Sequence, residues 1–198
     1  MRLLKHNHHR VKMDAEIKAD FQWWRRFIRD FSGISLIESG IWTEPDKLCA
    51  GDACLSGGGA YTDLEYFSIK FPSFLNDTPI HILEFIVLII SCKVWGPTWG
   101  RLCITIYCDN ESVVQTIAHE KPKDKKLQSC LRELLYLESL FSFRVKALHI
   151  STKENRVADF ISRCHDDTEI QTYFHSVDLR PKNKIEIPVS MYQQWISW

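Results

Sequence analysis

Apolar segments with strand-type and helix-type spacing alternate between residues 48 and 163, and this order limits the possible folds more than any other feature. Segments with strand character lie at residues 48–54, 60–63, 66–71, 102–109 and 144–150. A glycine-rich tight turn is predicted at residues 56–59, so the first three strands form a meander. Helical spacing follows the fourth strand twice and the fifth strand once.

The segment at residues 82–95 is ambiguous, because its first nine residues are rich in Ile and Val, which favour strands. Its length exceeds that of most strands and suits a buried helix, and we interpret it as a helix. The longest uninterrupted apolar run has six residues, at 85–90, so no membrane span is predicted. The complete order is βββ-α-β-α-α-β-α, which predicts an α/β layered domain.

The two ends of the chain differ from this central part. Asp14 is predicted to cap a helix that runs to about Phe31 and has one strongly apolar face. Residues 166–198 have no clear periodicity and contain Pro181 and Pro188, so they are interpreted as a tail or linker. The expected organisation is an N-terminal helical segment at 1–44, a domain at 45–165 and this C-terminal segment.

The zero net charge conceals alternating blocks of charge. Residues 1–35 carry eight basic and four acidic groups, and residues 36–119 carry four basic and ten acidic groups. Residues 120–165 are basic again, with ten against six. The pattern fits a metal site flanked by a surface for a polyanion, and it equally fits ordinary surface scatter. The seven cysteines form no C-x-x-C pair, which favours a reducing, intracellular compartment such as the cytoplasm or nucleus.

Four acidic residues occur where a core-facing residue is expected: Asp52, Glu84, Asp109 and Asp159. A buried carboxylate is costly unless it is paired or binds a metal. Two of the four lie in or after strands and two lie in helices, so all four can meet at one edge of a sheet. Carboxylate oxygens select Mg²⁺ or Mn²⁺, and two such ions can act together on a phosphodiester.

Each acidic residue also has a structural interpretation. Asp109, together with Asn110, is a candidate helix cap, and Glu84 can lie on a partly exposed helical face. Asp159 can form an ion pair with Arg156 or Arg163. Asp52 can be a structural residue before a turn.

Four motifs resemble the ribonuclease H domain of retroelement reverse transcriptases, most of all those of DIRS-type and gypsy-type retrotransposons. They are DACLSGGGA at 52–60, ILE at 82–84, YCDNESVV at 107–114 and HISTKENRVADFISR at 149–163. The pattern N-x-x-A-D-x-x-S-R at 155–163 is the most specific of them. The upstream WWRRF at 23–27 and GISL at 33–36 resemble the connection that precedes this domain in DIRS-type polyproteins.

The resemblance implies a ribonuclease H-like fold with a mixed five-stranded sheet flanked by helices. It implies that Asp52, Glu84, Asp109 and Asp159 bind two Mg²⁺ or Mn²⁺ ions and that the enzyme hydrolyses the RNA strand of RNA/DNA hybrids. His149 is expected to assist proton transfer or product release, and a strand-end histidine hydrogen-bonded to the backbone is the alternative interpretation. Ser56, Gly57, Asn110 and Asn155 are the expected substrate-binding residues. A reverse transcriptase polymerase domain, in cis or in trans, is the implied partner, and no membrane is implied.

Two alternatives remain open. The domain can be a catalytically silent nucleic-acid-binding or scaffolding domain, either within a retroelement or as a gene derived from one. It can also be another nuclease of the same superfold, such as an integrase or transposase. Those enzymes typically complete the site with a Glu on a long helix, whereas this chain has Asp159 in a short Ala-Asp motif.

Overall fold

The computed structural model describes residues 13–33, 44–122, 124–188 and 190–191, which fall into two compact units divided between Phe31 and Ser32. Parts of the predicted N-terminal connection, at 1–12 and 34–43, lie outside the described residues, as do residues 192–198 of the predicted tail. In the first unit, α1 spans Ala15–Asp30, and the Asp14 side chain accepts a 2.9 Å hydrogen bond from the Ile17 amide. The predicted capped helix is therefore confirmed.

The second unit contains the alternating elements. Its strands are β1 (Lys47–Ala53), β2 (Gly57–Tyr61), β3 (Glu65–Lys70), β4 (Cys103–Cys108), β5 (Arg144–His149) and β6 (Asn183–Lys184). Its helices are α2 (Ile80–Trp95), α3 (Glu111–His119), α4 (Lys125–Phe141), α5 (Arg156–Arg163) and α6 (Asp167–Ser176). From β1 to α5 the order is βββ-α-β-α-α-β-α, so the predicted α/β class and element order are confirmed.

The strands form one mixed sheet in the order β5-β4-β1-β2-β3-β6. The meander β1-β2-β3 is antiparallel, whereas β1, β4 and β5 run parallel to one another. The sheet has six strands rather than the predicted five, because β6 pairs in parallel with the start of β3. Two residues are too few to show alternation in a sequence, and only this pairing defines the sixth strand.

The glycine run belongs to a strand, which corrects the prediction of a tight turn at residues 56–59. A Cβ on Gly58 would lie 2.3 Å from a methyl carbon of Val87 in α2, and one on Gly59 would lie 2.4 Å from Ile161 in α5. Because neighbouring residues in a strand point to opposite faces, α2 and α5 pack on opposite faces of β2. The glycines let both helices approach the sheet closely, and the turn comes earlier, between β1 and β2.

The ambiguous segment forms α2, so its interpretation as a helix is confirmed. The stretch Ile80–Thr98 is long and apolar enough, by length and composition alone, to cross a membrane. About two thirds of its apolar window, 67%, is buried inside the protein. Helix α2 packs on β1, β2 and α4, and it is apolar on nearly every side. This is the composition of a helix buried in the core of a protein.

Residues 167–184 also differ from the expected tail or linker. In α6, Ile170 and Phe174 pack with Tyr66 and α5 in a small apolar core. Lys182 is buried, and its ammonium donates a 2.7 Å hydrogen bond to the carbonyl of Asp63. The segment has no strong periodic signal because only two residues of α6 are buried.

Candidate functional site

The parallel strands bring the predicted acidic residues to one edge of the sheet. Ala50 in β1 is level with Tyr107 in β4. Two residues further along the chain in each case come Asp52, still in β1, and Asp109, directly after β4. His149, the last residue of β5, is level with Cys108 at the end of β4. The carboxyl ends of β1, β4 and β5 therefore place two carboxylates and the predicted histidine at the same edge.

Asp52 is nearly buried, with 6% of its surface exposed. The Ser162 hydroxyl in α5 donates a 2.7 Å hydrogen bond to its Oδ2 atom. Burial raises the pKa of Asp52 to about 6, and the negative charges of Asp109 and Asp159 add to the rise. The Ser162 hydrogen bond and the Arg163 charge act in the opposite direction. The charges of Asp109 and Asp159 therefore both disfavour ionisation of Asp52.

Glu84 reaches the same edge from α2. Its Oε1 atom accepts a 3.2 Å hydrogen bond from the Asn110 amide, and the Cys108 thiol donates to Oε2 at 3.6 Å. Burial raises the pKa of Glu84 to about 7, and the charges of Asp109 and Asp52 contribute to this rise.

Three potential ligand atoms, one each from Glu84, Cys108 and Asp109, lie within 4.8 Å of one another and could hold a metal ion. Burial is the main cause that raises the pKa of the Cys108 thiol above its usual value. Burial therefore disfavours the thiolate form of Cys108, and the oxygen atoms of Glu84 and Asp109 are the candidate ligands for a hard cation.

Asp109 is half-buried directly after β4. The side-chain amide of Asn155 donates to its Oδ1 atom at 3.4 Å and to the Gly51 carbonyl at 3.3 Å. Asn155 is 2% exposed, and its Oδ1 atom has no hydrogen-bond partner among the described residues. Its contacts are internal, since the amide connects the start of α5 with β1 and with Asp109.

Asp159 lies in α5, one turn before Arg163. The two side chains form an ion pair, with Arg163 Nη2 2.7 Å from Asp159 Oδ1. This is one of the two structural pairings considered for Asp159. Its negative charge adds to the rise in the pKa of Asp52, and Ser162, three residues further along the same helix, donates a hydrogen bond to Asp52.

The remaining predicted residues occupy different surroundings. His149 is exposed at the end of β5, and its charge contributes, after the Ser151 hydrogen bonds, to lowering the pKa of Glu154. Ser56 is exposed in the turn before β2. Gly57 is buried, and a Cβ there would lie 2.5 Å from the Ile69 carbonyl oxygen.

Asn110 has two contacts in the structure. Its side-chain oxygen accepts a 3.0 Å hydrogen bond from the Ser112 amide, so it caps α3, and its amide contacts Glu84. The proposed helix cap and the proximity to the acidic residues are therefore both present.

Sequence reasoning missed the role of Ser162. The residue lies within the motif at 155–163, but a serine in a short helix has no spacing or charge that predicts a partner. Its contact with Asp52 joins residues 110 positions apart and emerges only when α5 packs on the sheet.

Comparisons with known proteins find similarity to one family model and to several solved structures. A family model described as reverse transcriptase-like matches residues 94–165. Ribonuclease H1 from the halophilic archaeon Halobacterium salinarum is 14% identical; the match covers 58% of this chain and 92% of that chain, with a TM-score of 0.43. LC11 ribonuclease H1, solved in complex with an RNA/DNA hybrid, is 16% identical; the match covers 59% and 93%, with a TM-score of 0.48.

A viral protein is also similar. The foamy viral protease-reverse transcriptase, solved in complex with an RNA/DNA hybrid, is 15% identical, with a TM-score of 0.43. That match covers 66% of this chain and 21% of the viral chain. The comparison with curated proteins finds no match. The part matched by the reverse transcriptase-like family model contains Asp109, His149 and Asp159, whereas Asp52 and Glu84 precede it.

Proposed function

We propose that this chain is a metal-dependent nuclease of the ribonuclease H type, which hydrolyses the RNA strand of RNA/DNA hybrids. The observation that carries the proposal is the cluster at the carboxyl edge of the parallel strands, where potential ligand atoms of Glu84, Cys108 and Asp109 lie within 4.8 Å of one another. We propose that Asp52 at the end of β1 and Asp159 in α5 complete this acidic site. The family-model match over residues 94–165 supports a reverse transcriptase context. We place the chain within a retrotransposon reverse transcriptase or a gene derived from one.

The acidic side chains fit divalent metal ions. Asp52, Glu84, Asp109 and Asp159 would supply only carboxylate oxygens, which hard cations such as Mg²⁺ and Mn²⁺ prefer. Burial is the main cause that raises the pKa values of Asp52 and Glu84, and the charges of neighbouring carboxylates add to the rise. Bound cations would relieve this repulsion between carboxylates. Two bound divalent ions would activate a water and stabilise the charge that develops on the phosphodiester.

The protein's other residues at this edge suit substrate contact and proton movement. His149 is exposed beside the end of β4, where its imidazole can carry a proton to or from solvent. Ser56 and Asn110 are the polar residues proposed to contact the sugar-phosphate backbone. Recognition of a hybrid is expected to depend on backbone shape and 2′-hydroxyl groups, and a polymerase domain would increase the affinity for the hybrid.

The seven cysteines are all unpaired, which supports a reducing intracellular compartment.

The test uses an end-labelled RNA/DNA hybrid with Mg²⁺ or Mn²⁺, and compares wild type with Asp109→Asn. We expect wild type to cut only the RNA strand, and the variant to lose at least about 100-fold in rate, because the neutral amide is a poor cation ligand. Asp77→Asn changes an exposed carboxylate outside the site and is the matched control. Equal cutting by wild type and Asp109→Asn, with unchanged circular dichroism, would contradict the proposal.

A second function, hybrid binding without catalysis, is favoured by one observation. Arg163 holds the Asp159 carboxylate at 2.7 Å and neutralises part of the charge that a cation would require. Under this alternative, wild type binds the hybrid equally well with Mg²⁺ and with EDTA, and cuts nothing. Metal-dependent cutting by wild type excludes it.

A further inference from the structure

The carboxylate of Asp52 accepts a hydrogen bond from one side chain of α5, that of Ser162. Ser162 is fully buried in the last turn of α5, and its hydroxyl lies 2.7 Å from Asp52 Oδ2. The same hydroxyl lies 2.9 Å from the Asp159 carbonyl within its own helix. The carboxylate is both the closer and the stronger acceptor, so it receives the larger share of the one hydroxyl proton. No other hydrogen bond to the Asp52 carboxylate is present in the described part of the chain.

The position of Ser162 is itself fixed by packing. The preceding residue, Ile161, lies against Gly59 so closely that a Cβ on the glycine would be 2.4 Å from an Ile161 methyl carbon. Gly59 is paired with Asp52 across β1 and β2. The hydroxyl of Ser162 and the backbone that carries Asp52 are therefore held in register by the same contact between α5 and β2.

We propose that Ser162 is a positioning residue, which fixes the orientation of Asp52 so that its other carboxylate oxygen is available to a divalent cation. The proposal rests on the proposed function in one respect, the binding of metal by the acidic residues. Because α5 also carries Asp159, one helix supplies a carboxylate and orients a second one on β1. Hydrogen bonds to ligating carboxylates preorganise them and increase metal affinity.

The test measures Mn²⁺ binding by calorimetry without nucleic acid, and cleavage of the labelled hybrid at saturating Mn²⁺. We expect Ser162→Ala to weaken Mn²⁺ binding by about tenfold and to lower kcat with little change in KM for the hybrid. Ser162→Cys keeps nearly the same shape but donates weakly, so it should resemble the alanine variant. In the Asp52→Asn background, Ser162→Ala should have no further effect on Mn²⁺ affinity.

Ser139→Ala is the matched control. Ser139 is also a buried helical serine, in α4, but its hydroxyl has no hydrogen-bond partner among the residues that the structure describes. Its loss should leave Mn²⁺ affinity and kcat unchanged, while Tm measures the general cost of removing a buried serine hydroxyl.

The outcomes separate this proposal from the proposed function. Wild-type affinity and kcat in folded Ser162→Ala overturn the positioning role while the nuclease stands. Weakened Mn²⁺ binding in both Ser162 variants, with no cutting by wild type, supports the positioning role and overturns the nuclease. Absence of Mn²⁺ binding by wild type overturns both.

Discussion

Glu138 shows at the scale of one residue how burial changes an acidic group outside the candidate site. It lies in α4, is 5% exposed, and accepts a 2.7 Å hydrogen bond from the Val145 amide. Burial raises the pKa of Glu138 to about 7, from a usual value of 4.5, and the Val145 hydrogen bond only partly opposes this. The folded protein therefore retains a proton at pH values where the unfolded chain has lost it.

This difference predicts how stability depends on pH. Between pH 4.5 and pH 7 the folded state binds more protons than the unfolded state, so the free energy of unfolding falls as pH rises. Glu138→Gln keeps the acceptor oxygen and removes the charge. We expect the variant to be more stable than wild type by on the order of 2 kcal/mol at pH 8, and to differ little at pH 4.5.

Urea denaturation at pH 4.5, 6 and 8 measures this effect, with Glu44→Gln as the exposed control. The control should follow wild type at every pH. A Glu138→Gln variant that parallels wild type across the range would show that the Glu138 carboxyl is ionised in the folded protein at pH 6.

At the scale of elements, the clearest case is β2, in which the glycines face helices on both sides. Gly59→Ala places a methyl group 2.4 Å from the Ile161 side chain and 3.0 Å from its backbone carbonyl carbon. The backbone of Ile161 cannot move aside as the end of a flexible side chain can, so the whole of α5 must shift. We expect the free energy of unfolding to fall by about 2 to 3 kcal/mol, and Mn²⁺ affinity to fall with it, since α5 carries Asp159 and Ser162.

Gly100→Ala is the matched control for this variant, measured by urea denaturation and Mn²⁺ calorimetry. Among the described residues, a Cβ on Gly100 would come within 4 Å of the Phe141 carbonyl oxygen alone, at 3.6 Å, which is ordinary van der Waals contact. It should therefore change stability by less than about 1 kcal/mol. If Gly59→Ala were equally mild, α5 would not be held closely against β2.

The same elements show what the sequence could and could not predict. The order from β1 to α5 followed from apolar spacing, and the four acidic residues were visible because each one interrupts or ends an apolar segment. The second strand was predicted at residues 60–63, but its glycine start at 57–59 was assigned to a turn because glycine disfavours strands in isolation. The close helices on both faces explain why glycines occur there. The contact of Ser162 with Asp52 was missed because no local pattern encodes it.

At the scale of the second unit, β6 extends the sheet that carries the site, and α6 packs in the core beside it. β6 covers the edge of β3, and Phe174 of α6 contacts Tyr66 edge-to-face, with ring centroids 5.3 Å apart. The core formed by Tyr66 and Phe174 also includes Val157 and Ile161 of α5. The C-terminal elements are thus packed against α5, the helix that carries Asp159. A substitution that destabilises α6 should therefore also destabilise α5.

Phe174→Ala tests this connection. The side chain is fully buried, so the variant loses both its apolar surface and its packing, and we expect the free energy of unfolding to fall by about 3 to 4 kcal/mol. Since α5 and α6 share the core, unfolding should remain a single transition, and Mn²⁺ affinity should be lost in the same range of urea as circular dichroism. Phe74→Ala removes a half-exposed ring elsewhere and should cost about 1 kcal/mol or less. A Phe174→Ala variant in which α6 unfolds first, with Mn²⁺ affinity retained, would show that the C-terminal elements are an appendage rather than part of the core that supports the site.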